Sequence, residues 1–404
     1  MNVLVADPFE QSGLDGLRAA GCEVVYQPDL KEHALADAIR TIAPEVLIVR
    51  GTAVTSAMLE SRALSLVVRA GAGYNTIDVA AASARGIYVS NCPGRNAVAV
   101  AELTFALMLA IDRRIPENVA DLRAGRWNKK EYSKARGLFG RTLGLLGYGS
   151  IGQEVARRAH AFGMPIVVWS RRFVTGREDI TTTGLPMQLA TSPGDVAAAC
   201  DVLSVHVALT PDTRGLVNAA VLDRLKPGSY FINASRGGVV DYEALARVAQ
   251  EKQLRVGLDV FDVEPPDGVG AFSDSIVTLP NVYGTHHIGA STDQAQEAIA
   301  AETVHIVASY KQTGRVPNVV NLARKTPATH MLVVRHRDRP GVLAHVFDHL
   351  RAESINVQET DNVIFDGAQA AVARINLDRA PSASLLRTIQ GGHPDILDLH
   401  LVSL

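Results

Sequence analysis

The sequence predicts an α/β fold of doubly wound parallel sheets, followed by a small α+β domain. Three observations carry this. Short β-branched runs alternate with alanine-rich helical runs up to about residue 310, the rhythm of a parallel sheet covered by helices. The string Gly147-Tyr148-Gly149-Ser150-Ile151-Gly152 directly follows the apolar run 142–146, so a strand turns there through glycine into a helix. Breaker residues then crowd 314–327, and beyond them the rhythm changes.

In chain order, 3–6, 24–26, 46–49 and 66–69 read as strands, with helices at 13–20, 35–41 and 79–84. The run 97–111 is the longest apolar stretch. It is short for a membrane span and carries Glu102, so it reads as a buried helix. A second set of strands follows at 143–146, 166–169, 202–205, 230–233, 256–259 and 282–284. Six buried strands with helices between them match a dinucleotide-binding sheet. The alanine-rich helix 295–310 then returns the chain to the first unit. The expected domains are two Rossmann-like ones: a substrate-binding domain over 1–96 and 289–318, and a dinucleotide-binding domain over 97–288. The segment 319–328 is a linker. In 329–404, strands at 331–335, 370–375 and 397–402 accompany helices at 341–351 and 382–389. No internal repeat is visible.

Bulk properties narrow the function. Lys+Arg 40 against Asp+Glu 42 gives no electrostatic footprint for nucleic acid or a membrane surface. Cys22, Cys92 and Cys200 are scattered and odd in number, so neither a disulfide framework nor a metal-ligand spacing arises. A reducing compartment is expected. The start, residues 1–8, lacks the basic region of a signal peptide, and the expected location is cytoplasmic.

The glycine string has a mechanical reading. Gly147 makes the turn, Gly149 lets the backbone approach a pyrophosphate, and Gly152 lets helix and strand pack closely. The free N–H groups of the helix N-terminus meet the phosphates. A carboxylate about 20 positions on would hold the ribose 2′-hydroxyl of NAD. The second strand ends instead in Ser170-Arg171-Arg172, groups suited to a 2′-phosphate. NADP(H) is therefore expected over NAD(H).

Three charged residues close later apolar runs: Arg236, Glu264 and His287. A guanidinium holds a carboxylate in a two-point grip. An imidazole moves a proton near neutral pH, and a carboxylate beside it fixes its orientation. With a nicotinamide site upstream, these parts suit hydride transfer to or from a 2-hydroxy or 2-keto acid.

At this point the chain resembles the D-isomer-specific 2-hydroxyacid dehydrogenase family over nearly its whole length. The motifs are Val49-Arg50-Gly51-Thr52, residues 69–75, the glycine turn, and residues 233–241, 259–266 and 287–292. The resemblance implies that Arg236 grips the substrate carboxylate and carbonyl, that His287 is the general acid/base, and that Glu264 holds His287. It implies carboxylate binding by the N–H groups of Ala72 and Gly73. Cofactor contacts would come from Ser150, Ile151, His206, Ala234 and Gly289, and from Asp259 to the nicotinamide amide. His286 departs from the family, where proline commonly precedes the histidine. Ile288-Gly289-Ala290 favours His287, and strand alternation would turn His286 the other way.

Arg50 and Arg69 end strands, where ligands of parallel sheets bind, and the resemblance implies that they contact a phosphate. Lys129 and Lys130 are expected to add charge from a neighbouring subunit of a homodimer or homotetramer. The expected reaction is oxidation of 3-phosphoglycerate to 3-phosphohydroxypyruvate, which opens L-serine synthesis. Glyoxylate or hydroxypyruvate reduction is the alternative, and an NAD(H)-sensing co-repressor is the alternative of another class. The C-terminal segment resembles an ACT domain through 336–343 and 355–357. That implies L-serine as effector, with His336, Asp338 and Asn356 at its site, or a dimerisation module without ligand.

Overall fold

Strands of four residues built from Val, Leu and Ile cannot stand alone, and here they pair into sheets buried on both faces. The computed structural model describes residues 1–265, 269–323 and 325–404. The chain divides into two compact units, 1–321 and 322–404.

The first sheet holds β1 (Asn2–Val5), β2 (Glu23–Tyr26), β3 (Val46–Val49), β4 (Leu66–Arg69) and β5 (Tyr88–Asn91), all parallel, in the order β2-β1-β3-β4-β5. Alternation along the strands splits its core in two. Leu4, Leu47, Val67 and Val89 face Leu35 and Ile39 of the helix Glu32–Ile42. Val3, Val5, Ile48 and Val68 face Leu14, Leu17, Ile299 and Ile306. The last two belong to the helix Asp293–Thr313, which comes back onto this sheet after the second one is complete.

The second sheet holds β6 (Leu143–Leu146), β7 (Ile166–Trp169), β8 (Met187–Leu189), β9 (Val202–Val205), β10 (Tyr230–Asn233), β11 (Arg255–Leu258) and β12 (Val282–Gly284). Its order is β12-β11-β10-β9-β6-β7-β8, again parallel throughout. The helix Ala97–Arg113 packs Leu107, Met108 and Ile111 under it, so the long apolar run is a buried helix as expected. Each sheet reverses its strand order once, between β1 and β3 and between β6 and β9. Crevices for ligands open at such points.

The second unit alternates β13 (His330–Arg337), the helix Val342–Ala352, β14 (Val357–Ile364), β15 (Ala370–Leu377), the helix Ala383–Gly392 and β16 (Ile396–Ser403). Its antiparallel sheet runs β14-β15-β13-β16, and Leu332, Val334, Ile375 and Leu350 form its core.

Three strands escaped the sequence reading. β5 ends in Ser90-Asn91, which interrupts the apolar pattern, yet Ser90 is fully buried with its hydroxyl donating to Pro317 O at 2.6 Å. β8 is a three-residue edge strand, so the second sheet has seven strands and not six. β14 is an edge strand exposed along most of its length, and no periodic burial marks it. The expected linker 319–328 begins inside structure. Val319 bridges Ser90, Val320 N donates to Val89 O, and Asn321 Oδ1 accepts Val89 N at 2.9 Å. Arg324 of that segment, and Pro266 of the 259–266 motif, lie outside the described residues. Among the described residues, no helix is long and apolar enough to cross a membrane.

Candidate active site

At the reversal of the second sheet, β6 runs into Gly147 at φ +99°, a conformation L side chains rarely adopt. A Cβ there would strike the His206 carbonyl oxygen, and one at Gly152 would strike the Gly147 carbonyl. A Cβ at Gly149 would meet nothing within 4 Å, which leaves the approach to the backbone open. The helix Ser150–Ala161 starts there with no side-chain cap, so the N–H groups of its first turn, including those of Ser150 and Ile151, face the crevice uncapped. A turn that only glycine allows, an open approach to the backbone and an uncapped helix N-terminus fit a dinucleotide pyrophosphate.

The far end of that crevice is more crowded than expected. Ser170 is buried at the end of β7. Arg171 Nη1 lies 2.7 Å from Asp212 Oδ2, and Arg172 Nη1 lies 3.1 Å from Glu178 Oε2. His206 follows β9 and bonds Ser204 Oγ through Nε2 at 2.8 Å, while its buried Nδ1 has no partner. Burial pushes its pKa down to about 3, so it is neutral. Ala234 is buried just after β10.

Arg236 follows on that same loop. Asn233 shapes the loop, donating to Arg236 O at 3.1 Å and accepting from Ser235 N and Ser235 Oγ at 3.0 and 2.8 Å. The Arg236 guanidinium crosses to the first sheet, where a Cβ on Gly73 would strike it. Arg69 lies against Gly71 in the same way, and its Nε is buried without a partner. The carbonyl of Ala72, between those glycines, accepts Asn91 Nδ2 at 2.5 Å. Burial, then Arg236, then Arg50, push the Arg69 pKa down to about 10, and burial lowers that of Arg236 against the pull of Glu264. Both remain cations at neutral pH. Among the described residues, no carboxylate forms an ion pair with the side chains of Arg50, Arg69 or Arg236.

Glu264 and His287 meet beside this cluster. His287 Nδ1 lies 2.7 Å from Glu264 Oε2, and Glu264 Oε1 accepts Phe261 N at 2.9 Å. Burial alone would push the Glu264 carboxyl up. The bonds from His287 and Phe261, with the His287 and Arg236 charges, outweigh it and hold the pKa below the ordinary value.

One expectation needs correction. β12 stops at Gly284, so His286 and His287 lie in a loop and strand alternation does not separate them. His287 is set apart by its φ of +53° and its bond to Glu264. Asp259, expected at the nicotinamide amide, is turned onto this loop. It is 1% exposed, and its carboxylate accepts Thr285 Oγ1 at 2.7 Å, Ile288 N at 2.8 Å and Gly289 N at 2.9 Å. In the second unit, His336 is 2% exposed. Its ring nitrogens lie 2.8 Å from Arg337 O and 3.1 Å from Asn362 Oδ1. Asn356 lines an open groove of about 770 Å³ with Phe347, Asp348, Arg351 and Thr360. Asp338 is exposed in the turn after β13.

The sequence reading passed over Asp7, whose buried carboxylate binds the turn carrying Arg50. An acid ending the first apolar run, just before Pro8, was the available signal.

Comparison with known proteins agrees with this geometry. Residues 105–289 match the profile described as "D-isomer specific 2-hydroxyacid dehydrogenase, NAD binding domain". The chain is 40% identical over 288 residues to a hydroxypyruvate reductase of Thermotoga maritima, covering 70% of this chain and 90% of that one. It is 36% identical over 331 residues to a D-3-phosphoglycerate dehydrogenase of Methanocaldococcus jannaschii; that match takes 80% of this chain and spans 61% of the relative's length. The NADPH-dependent glyoxylate/hydroxypyruvate reductase of Sinorhizobium meliloti, solved with NADP and malonate, superposes with TM-score 0.66 at 29% identity, covering 79% of this chain and 96% of that one.

Proposed function

The chain belongs to the D-isomer specific 2-hydroxyacid dehydrogenase family, and from that premise we propose that it oxidises D-3-phosphoglycerate to 3-phosphohydroxypyruvate. The observation that carries the reading is the cluster of Arg50, Arg69 and Arg236 beside the His287–Glu264 pair, in which burial and the two neighbouring guanidiniums push the Arg69 pKa down. Burying like charges together is costly unless an anion joins them. A 2-hydroxy acid carrying a phosphate supplies two: its carboxylate for Arg236 and the Ala72–Gly73 loop, its phosphate for Arg50 and Arg69.

A nicotinamide dinucleotide held at the Gly147–Gly152 turn would supply a hydride acceptor for oxidation of the hydroxyl-bearing carbon, or a donor for the reverse. The rest falls to the chain. Glu264 as a carboxylate only accepts, so His287 keeps its proton on Nδ1 and offers the Nε2 lone pair to the substrate hydroxyl. In the reverse direction the protonated ring gives that proton to the carbonyl oxygen. Asp259 fixes the loop on which His287 sits. Gly147, Gly149 and Gly152 seat the pyrophosphate. Ser170, Arg171 and Arg172 favour NADP(H). Their exposed ion pairs are each worth about 0–1 kcal/mol, little enough for a 2′-phosphate to displace Asp212 and Glu178. The C-terminal unit is proposed as a module for pairing or for a small effector such as L-serine, with Asn356 on its groove.

The likeness to the Thermotoga maritima enzyme favours a second reading, reduction of hydroxypyruvate or glyoxylate. Initial rates with NAD(H) and NADP(H) in turn, on 3-phosphoglycerate and on glyoxylate, separate the two. Faster turnover of glyoxylate selects the second reading. No turnover of either leaves the co-repressor class, against which the His287–Glu264 contact stands.

A further inference from the structure

Asp7 follows β1, next to the point where the first sheet reverses its order. It is 8% exposed. Its Oδ2 accepts the backbone N–H groups of Arg50, Gly51 and Thr52 at 2.5, 3.0 and 3.1 Å, and its Oδ1 accepts Thr52 Oγ1 at 2.7 Å. Three successive N–H groups converging on one oxygen form a nest for an anion, and here a side chain of the same chain occupies it. The four bonds also satisfy a buried carboxylate that would otherwise be costly. The consequence falls on Arg50. Its Cα sits in the turn that Asp7 grips, at the mouth of the crevice, and Arg50 and Asp7 both act on the charge of Arg69.

We propose that Asp7 is a positioning residue of the anion site: by holding the Arg50–Thr52 turn it sets where the Arg50 guanidinium meets a substrate phosphate. The inference rests on the reading of Arg50, Arg69 and Arg236 as that site. Asp7 touches no substrate itself. Its role is specific to the phosphate, because Arg236, His287 and Glu264, which serve the hydroxy-acid end, are held by other elements.

The test is the ratio of KM for D-3-phosphoglycerate to KM for D-glycerate, the same acid without the phosphate, with the melting temperature followed in parallel. Asp7→Asn keeps the size of the side chain but removes its charge and one acceptor. It is expected to raise the ratio roughly 10-fold, with kcat on D-glycerate within about 2-fold of the parent. Arg50→Gln should raise the ratio at least as far. The double variant should show no more than Arg50→Gln alone, because Asp7 acts through Arg50. Thr52→Val deletes only the hydroxyl bond and should raise the ratio about 3-fold, which keeps the test available if Asp7→Asn does not fold. Equal increases of both KM values, a lowered melting temperature with an unchanged ratio, or additive effects in the double variant would overturn the role of Asp7. An unchanged ratio in Arg50→Gln would instead strike the anion-site reading itself.

Discussion

The open ends of the two parallel sheets both present arginines, and they treat them in opposite ways. At the second sheet, Arg171 is exposed, Arg172 is half-buried, and each has a carboxylate partner. At the first, Arg69 is half-buried, its Nε is buried with no partner among the described residues, two further guanidiniums lie close by, and no described carboxylate forms an ion pair with it. An exposed paired arginine is a surface feature that a ligand borrows. One left without a carboxylate partner is free to meet an anion. The difference teaches that the two crevices offer their cations differently, already paired at the second sheet and without an ion-pair partner among the described residues at the first.

The largest effect should come from the residue between the two ends. His287→Ala is expected to lower kcat by about 10²-fold or more while nucleotide affinity, read by fluorescence titration, stays put. His286→Ala should remain near normal, since only His287 reaches Glu264. The opposite pattern would move the proton-transfer role to His286.

Arg69→Gln sharpens the comparison from the substrate side. Losing a charge-assisted grip on phosphate should cost roughly 1.5–3 kcal/mol, seen as a higher KM for 3-phosphoglycerate than for D-glycerate relative to the parent. A loss shared by both acids would make Arg69 structural. On the cofactor side, Arg171→Asp with Arg172→Asn should reverse the nucleotide preference toward NAD(H), through a smaller change of about 1–2 kcal/mol in kcat/KM. A parent enzyme that already prefers NAD(H) would remove the premise.

Much of this was legible in the sequence. Apolar runs of four residues located most strands because buried parallel strands must be apolar on both faces. The glycine string follows β6 directly, and Arg236, Glu264 and His287 stand in the loops that follow β10, β11 and β12, the side on which a parallel sheet opens its crevice. What stayed illegible depends on tertiary partners. β14 is solvated and its burial follows no period. No local pattern placed Asn362 against His336 across the sheet. Nothing in the local pattern around Asp259 announced that its oxygens accept the N–H groups of Ile288 and Gly289, about thirty residues on. Asp7 acts on a turn more than forty residues away, a pairing no local pattern announces.

The smallest effect concerns His206, neutral at the cofactor end. Its folded pKa of about 3 lies below the ordinary 6.5, so the unfolded chain takes up the proton first. The sign follows: its contribution to stability is whole above about pH 6.5 and declines as pH falls toward 3, by at most about 1.4 kcal/mol per pH unit. Urea melts from pH 7 to 4.5 should therefore show a steeper acid loss for the parent than for His206→Gln. Parallel slopes would mean that His206 titrates normally.

The central claim is the proposal that an arginine cluster with no ion-pair partner among the described carboxylates selects a phosphorylated acid. The most direct measurement is kcat/KM on D-3-phosphoglycerate and on D-glycerate with the same nucleotide. Two charge-assisted contacts predict a preference of about 10²-fold or more for the phosphorylated acid. A ratio near one, or a preference for the unphosphorylated acid, would contradict it.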